Sequence, residues 1–292
     1  MSTPRLGLAL GSGSARGWAH IGILRALEER GLKPDVVTGA SVGALVGAAC
    51  AAGRLADLEE WVCKLTQRDV WRLVDTTFRS GGVMTGNRLM EAIAAHIGDA
   101  PIETLPMRFG AVATDLYTGE EIWLREGPFM AAVRASSGLP GLFSPTWHEG
   151  RWLIDGGVVN PVPVSLCRAL GADIVIAVDL RRSVTQVALR ALEQSSRNQT
   201  APEQEASTEG TAILQKWTGL FEVMTSAVNI MQDRITRSRL AIDPADLVLR
   251  PDLTRFQLMD FHRGREAIDI GRALVDEVAS QLEPISALLK PP

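Results

Sequence analysis

The chain has 292 residues, 46% of them hydrophobic and 22% charged, with a formal net charge of −4. That balance is ordinary for a soluble globular protein and leaves room for one large domain or two small ones. The mild acidity argues against a nucleic-acid partner, and three widely spaced cysteines (Cys50, Cys63, Cys167) offer neither a disulfide framework nor metal-ligand spacing.

Residues 1–5 run straight into a short apolar strand from Arg5 to Leu10, with no signal-peptide pattern. A loop of small residues follows, Gly11-Ser12-Gly13-Ser14-Ala15-Arg16-Gly17, and then a helix carrying Trp18, Ile21, Leu24 and Leu27 that stops at Gly31. A second strand from Asp35 leads into Gly39-Ala40-Ser41-Val42-Gly43 and an apolar helix. Residues 36–53 are uncharged over nearly the length of a membrane span. Their Ala and Gly content and the sharp turn within them favour a strand, a turn and a buried helix. Strand–loop–helix twice over predicts a βαβ unit and an α/β fold with a mainly parallel sheet.

Further on, helical patterning continues through Trp61 and from Arg88 to His96. Strands are expected at Phe109–Asp115, Glu120–Leu124, Trp152–Ile154 and Ile174–Leu180, with a helix at Phe129–Ser137. Glu193–Thr211 lacks Val, Ile, Leu, Met and aromatic residues and reads as a flexible polar insertion. An amphipathic helix is expected from Ile213 to Met231, as core or as an apolar lid, then a strand at Leu247–Leu249 and a helix around Ile268–Val278. The expected organisation is a core over 5–182, an insertion over 183–211, and C-terminal helices and a late strand over 212–292 packed on the same domain.

Three pieces carry chemistry. Gly-x-Ser-x-Gly on a strand-to-helix turn pushes the Ser41 hydroxyl out of the packed layer, with Gly39 and Gly43 allowing the backbone to turn. The loop at 11–17 can aim backbone N–H groups at developing negative charge. Asp155 follows a strand and precedes Gly156 and Gly157. Loops at the carboxyl ends of parallel strands gather in one crevice, where these pieces can meet. None of His20, His96, His148 or His262 stands in an obvious base context, so a Ser–Asp pair without histidine fits better than a triad. Asp155 read alone is a turn aspartate, and Asp115, Glu120 and Glu121 read as turn and surface residues. The glycine loop also resembles a dinucleotide fingerprint, but the acidic residue that fingerprint needs belongs at the end of the second strand, and Asp35 is at its start.

These motifs, in this order, resemble the patatin-like phospholipases of compact bacterial type. The matching residues are Gly11, Gly13, Arg16 and Gly17, the Gly-Ala-Ser-Val-Gly elbow, Asp155-Gly156-Gly157, and the segment Arg134–Ser137 through Pro140, Phe143 and Pro145. Ser12 stands where many relatives carry a third glycine. The resemblance spans about Arg5 to Leu180. It implies a three-layer α/β/α fold and a Ser41–Asp155 dyad acting on acyl esters of lipids. Gly11, Gly13, Ser14, Arg16 and Gly17 then form the oxyanion loop, with main-chain N–H groups near Gly13 and Ser14 as the donors. It implies no metal and no cofactor, and a phospholipid or other acyl-ester substrate. The expected location is cytoplasmic, from the missing signal-peptide pattern and the rejected membrane span, with peripheral membrane contact left open. A catalytically silent patatin fold serving as a regulator or scaffold is the runner-up.

Overall fold

The structure is a computed structural model, in which residues 3–75, 82–181 and 227–289 are described. The insertion expected at 183–211 and the first part of the helix expected from Ile213 lie outside them. The central sheet has the strand order β10-β9-β1-β2-β4-β8-β7, with β5 paired on β4. Its strands are β1 (Leu6–Leu10), β2 (Val36–Ala40), β4 (Arg108–Asp115), β5 (Glu121–Leu124), β7 (Thr146–His148), β8 (Arg151–Asp155), β9 (Ile174–Val178) and β10 (Leu247–Leu249). Strands β10, β9, β1, β2 and β4 run parallel, whereas β5, β7 and β8 join antiparallel. A separate pair is formed by β3 (Gly82–Met84) and β6 (Gly141–Phe143).

Helices cover both faces, and strands β1 and β9 record this in their alternation. Leu6, Leu8, Leu10, Ile174, Ile176 and Val178 point into the larger core. Ala9, Val175 and Ala177 point into the smaller core on the other face. Period-two side chains that are apolar on both faces give the continuous apolar runs LGLAL and IVIAV. On the larger face lie α1 (Ala19–Glu29), α2 (Val42–Ala51), α6 (Phe129–Ser136) and α9 (Gly264–Glu277). On the smaller face α7 (Val164–Ala169) packs with Leu240 of helix α8, which covers residues 227–242. Helix α2 is apolar all round because it is buried all round. Helices α1 and α9 cross backbone to backbone: a Cβ on Gly22 would stand 1.9 Å from the Ile268 carbonyl oxygen, and one on Gly271 2.2 Å from that of Ala19.

The remaining helices are α3 (Leu55–Lys64), α4 (Gln67–Leu73), α5 (Asn87–Ile97) and α10 (Ala279–Leu288). The strands and helices expected from periodicity are present to within two or three residues at their ends where described, except that the helix expected to reach Met231 runs on to residue 242 and the one expected around Ile268–Val278 begins at Gly264. Five elements add to them: α4, α7, α10 and the three-residue strands β3 and β7, with β6 formed inside a segment read only as a motif. Among the described residues no helix is long and apolar enough to cross a membrane.

Candidate active site

Strand register brings Ser41 and Asp155 together. Strand β2 pairs with β4 from Val36↔Arg108 to Ala40↔Val112. Strand β8 pairs with the next part of β4, Leu153↔Asp115 to Asp155↔Ala113. Thr114 also pairs with Glu121 of β5, so β5 holds one side of β4 and both β2 and β8 hold the other. One strand runs up and the other down, and their carboxyl ends abut at Val112 and Ala113. Ser41 follows the end of β2 directly, and Asp155 ends β8.

Ser41 has φ 56° and ψ −126°, a sparsely populated conformation for a residue with a side chain. Its amide is held by the buried Ser136 hydroxyl of α6, which accepts from Ser41 N at 2.9 Å and donates to the Val112 carbonyl at 2.6 Å. The turn needs glycine: a Cβ on Gly43 would stand 2.2 Å from the Leu10 carbonyl oxygen, and one on Gly39 2.3 Å from Ala44 N. Ser41 and Asp155 line the same cavity, and the Ser41 hydroxyl is near enough to the carboxylate to favour its ionised form.

Asp155 is 2% exposed, and burial raises its pKa from 3.8 to about 6 against the opposing pull of the Ser41 hydroxyl and the Gly157 amide. Its Oδ1 accepts from Gly157 N at 2.7 Å, and its backbone is pinned by Thr114 Oγ1 donating to Asp155 O at 2.8 Å and by Asp155 N donating to Gly138 O at 3.0 Å. Gly156 lies against the Val112 carbonyl of β4. The proton affinity differs from the ordinary value of about 3.9 that the sequence suggests, because the low-dielectric surroundings are a property of the fold.

The glycine loop divides its labour. Gly11 N and Ser12 N donate to the Val178 and Pro161 carbonyls, each at 2.9 Å, and so anchor the loop to β9 and to the chain after the aspartate motif. Gly17 packs against Val42. Gly13 and Ser14 line the cavity, and among the described residues no acceptor stands against their N–H groups. Arg16 is 4% exposed, and its Nε donates to the Gly13 carbonyl at 3.1 Å, which fixes the turn carrying those two amides. Ser14 has φ 50°, and its hydroxyl donates to the Leu258 carbonyl at 2.6 Å.

The cavity holding these groups has a volume of about 130 Å³. Away from Ser41 its wall is apolar, formed by side chains such as Trp61, Leu73, Met84, Leu89, Met90 and Phe143 from α3, α4, α5 and the β3–β6 pair. None of the four histidines lines it. His20 sits in the first turn of α1 with Nε2 2.8 Å from the Gly11 carbonyl oxygen, and burial lowers its pKa to about 4. Asp35 accepts from Leu6 N at 2.9 Å at the amino end of β1, the edge opposite the cavity, so the dinucleotide fingerprint lacks its acidic partner. Asp115 accepts from Tyr117 N and Thr118 N, as a turn aspartate does, but it is 5% exposed rather than on the surface.

Sequence reasoning did not single out the role of Ser136 or the contributions of α8. From α8, Val228, Asn229 and Gln232 enter the cavity wall, while Met231 faces solvent. Asn229 Oδ1 accepts from Arg16 Nη2 at 3.4 Å, and Gln232 Oε1 accepts from Ser12 Oγ at 3.4 Å. An i, i+3 polar pair on an amphipathic helix was the only available signal, and it does not say which neighbour the helix meets. A buried ion-pair network anchors α8: Arg181 pairs with Asp179 and Asp233 and donates to the Gln232 carbonyl at 2.8 Å.

The profile of the Patatin-like phospholipase family matches residues 8–168. An uncharacterized NTE family protein of Mycobacterium bovis is 35% identical over 97% of this chain and 93% of its own length. A lysophospholipase NTE1 of Pyricularia oryzae is 38% identical over 60% of this chain, a stretch that is 12% of that longer protein. The crystal structure of VipD from Legionella pneumophila superposes with a TM-score of 0.55 at 13% identity, covering 94% of this chain and 67% of that one, a likeness of fold. The chain belongs to the patatin-like phospholipase family.

Proposed function

We propose that this protein is a serine acyl-ester hydrolase of lysophospholipase type, working through a Ser41–Asp155 dyad. Family membership supports lipid-ester hydrolysis, and the observation that carries the finer reading is the meeting in one cavity of Ser41, on a strained elbow, and the buried Asp155, beside the Gly13 and Ser14 amides, which have no acceptor among the described residues. Ser41 Oγ attacks the ester carbonyl while Asp155 takes its proton. The carbonyl oxygen, now negative, is held by Gly13 and Ser14 N–H. The leaving oxygen departs with the proton from Asp155. Water then attacks the acyl-serine, its proton passing to Asp155 and on to Ser41 Oγ as that bond breaks. A pKa near 6 keeps Asp155 largely ionised at neutral pH yet far more basic than a solvated aspartate. One well-placed oxyanion donor contributes roughly 3 kcal/mol.

The apolar wall suits a single acyl chain, and the relatives named lysophospholipases act in that class. The test is fluorophosphonate labelling together with a panel of lysophospholipid and simple acyl esters. Wild type should label at Ser41 and turn over the panel, and Ser41→Ala should do neither. Labelling elsewhere, or turnover surviving in Ser41→Ala, would overturn the dyad. A folded wild type inert in both assays would favour the silent regulator or scaffold.

A further inference from the structure

Gln232 stands beside the dyad, although it comes from α8, more than sixty residues beyond the stretch matched by the family. Gly157 exposes the relation. The point where its Cβ would lie is 2.6 Å from Gln232 Nε2, 2.9 Å from Asp155 Oδ1 and 2.9 Å from Ser12 Oγ. An amide donor, the putting-and-taking carboxylate and a hydroxyl therefore converge on one spot, and only glycine leaves that spot open. Gln232 is 7% exposed, its Oε1 is held by the Ser12 hydroxyl, and its backbone carbonyl is held by Arg181. Among the described residues no acceptor stands against its Nε2, and the residue lines the cavity.

We propose that the Gln232 side-chain amide donates a hydrogen bond to the oxygen that exchanges protons with Asp155. In acylation this is the leaving oxygen: the bond from the carbonyl carbon to it breaks, and it takes the proton Asp155 received from Ser41. In deacylation it is the attacking water, whose oxygen bonds to the carbonyl carbon as its proton passes to Asp155 and then to Ser41 Oγ. The two oxygens occupy one position, because the second step retraces the first with water in place of the alcohol. A neutral donor there stabilises the partial negative charge on the leaving oxygen and orients the water lone pair toward the acyl carbon. Ser12, where relatives often have glycine, supplies the hydroxyl that fixes the amide. This inference rests on the hydrolase reading above.

The experiment uses the full chain with two substrates whose leaving groups depart without a proton, a fluorophosphonate and a p-nitrophenyl acyl ester. In Gln232→Met, Ser41 should label within twofold of the wild-type rate, because loss of fluoride does not use the position. The p-nitrophenyl ester should give a burst of one p-nitrophenolate per site, followed by a steady rate at least tenfold below wild type, as acyl-enzyme accumulates. Unchanged turnover would overturn the proposal, as would labelling and turnover falling in parallel, the mark of a structural role. Gln232→Glu serves if the Met variant does not fold. Its protonated acid donates and its carboxylate does not, so its deacylation rate should fall with rising pH, and a profile parallel to wild type would overturn the proposal. Absence of Ser41 labelling in wild type would instead remove the hydrolase reading beneath it.

Discussion

Replacing Asp155 by Asn should destroy turnover and at the same time stabilise the fold, by an amount that depends on pH. The carboxyl has a pKa of about 6 in the folded chain against 3.8 for the free group. A folded pKa above the unfolded one means the native state binds the proton more tightly. Its contribution is therefore fully present below pH 3.8 and is lost as pH rises through 6. The cost of keeping the carboxylate buried is about 3 kcal/mol at pH 7.5 and about half that at pH 5. Asn carries no charge and escapes this cost, so the stability of Asp155→Asn relative to wild type should improve by about 1–2 kcal/mol between those pH values. Constant terms, such as a changed hydrogen bond to Ser41 or Gly157, cancel in that difference. Urea unfolding of both proteins at pH 5 and 7.5 measures it through the midpoints, and steady-state kinetics at pH 7.5 should show kcat lower by about 10²–10⁴. A difference in stability that is flat with pH, or that moves in favour of wild type as pH rises, would refute the assignment of a buried, proton-hungry carboxylate.

The same carboxyl should set the acid limb of activity. kcat/KM for a neutral ester should rise through pH about 6 and level off above it, because only the ionised form accepts the Ser41 proton; a limb near pH 4 would place the base in a solvated environment. Ser136→Ala leaves the buried Ser41 N–H and Val112 carbonyl without their shared partner. At about 1–3 kcal/mol for each orphaned group, the melting temperature should fall by about 5–10 °C, measured by calorimetry, and an unchanged value would show that the elbow is held otherwise. Leu89→Trp fills part of the apolar wall. The advantage of long acyl chains should drop by about fourfold in kcat/KM for each methylene no longer housed, at about 0.8 kcal/mol apiece, while the shortest ester should be unaffected.

What the residues disclosed in advance follows from how local the causes are. Strands β1 and β9 announce themselves because a parallel strand covered on both faces must be apolar at every position. The elbow is legible because the start of α2 lies against β1 at Gly43 and against β2 at Gly39, which admits only glycine at both positions. Helix α4 carried a readable sign that periodicity alone passes over: Thr66 and Asp69 form a reciprocal capping box at its start. Strands β6 and β7 have three residues each, too few to establish a period, and exist through their partners. Gln232 is the extreme case. Its place beside Asp155 depends on the ion pairs of Arg181 and on the register of α8 against the glycine loop, contacts between residues far apart in the chain.

The absence of histidine from the cavity follows from the same register. A triad needs an imidazole to carry a proton between a serine and a carboxylate that do not touch. Here β2 and β8 share one side of β4 and stop against each other, which brings Ser41 and Asp155 to one cavity; in the proposed dyad the two side chains meet directly and a relay has nothing to span. Direct contact then asks more of the carboxylate, because a solvated aspartate is too weak a base to share a proton with an alcohol. Burial at the sheet edge raises its proton affinity and makes the short pathway workable. The pH-dependent cost to stability and the competence of the base are thus one quantity, and any substitution that opens Asp155 to water should relieve the first only by reducing the second.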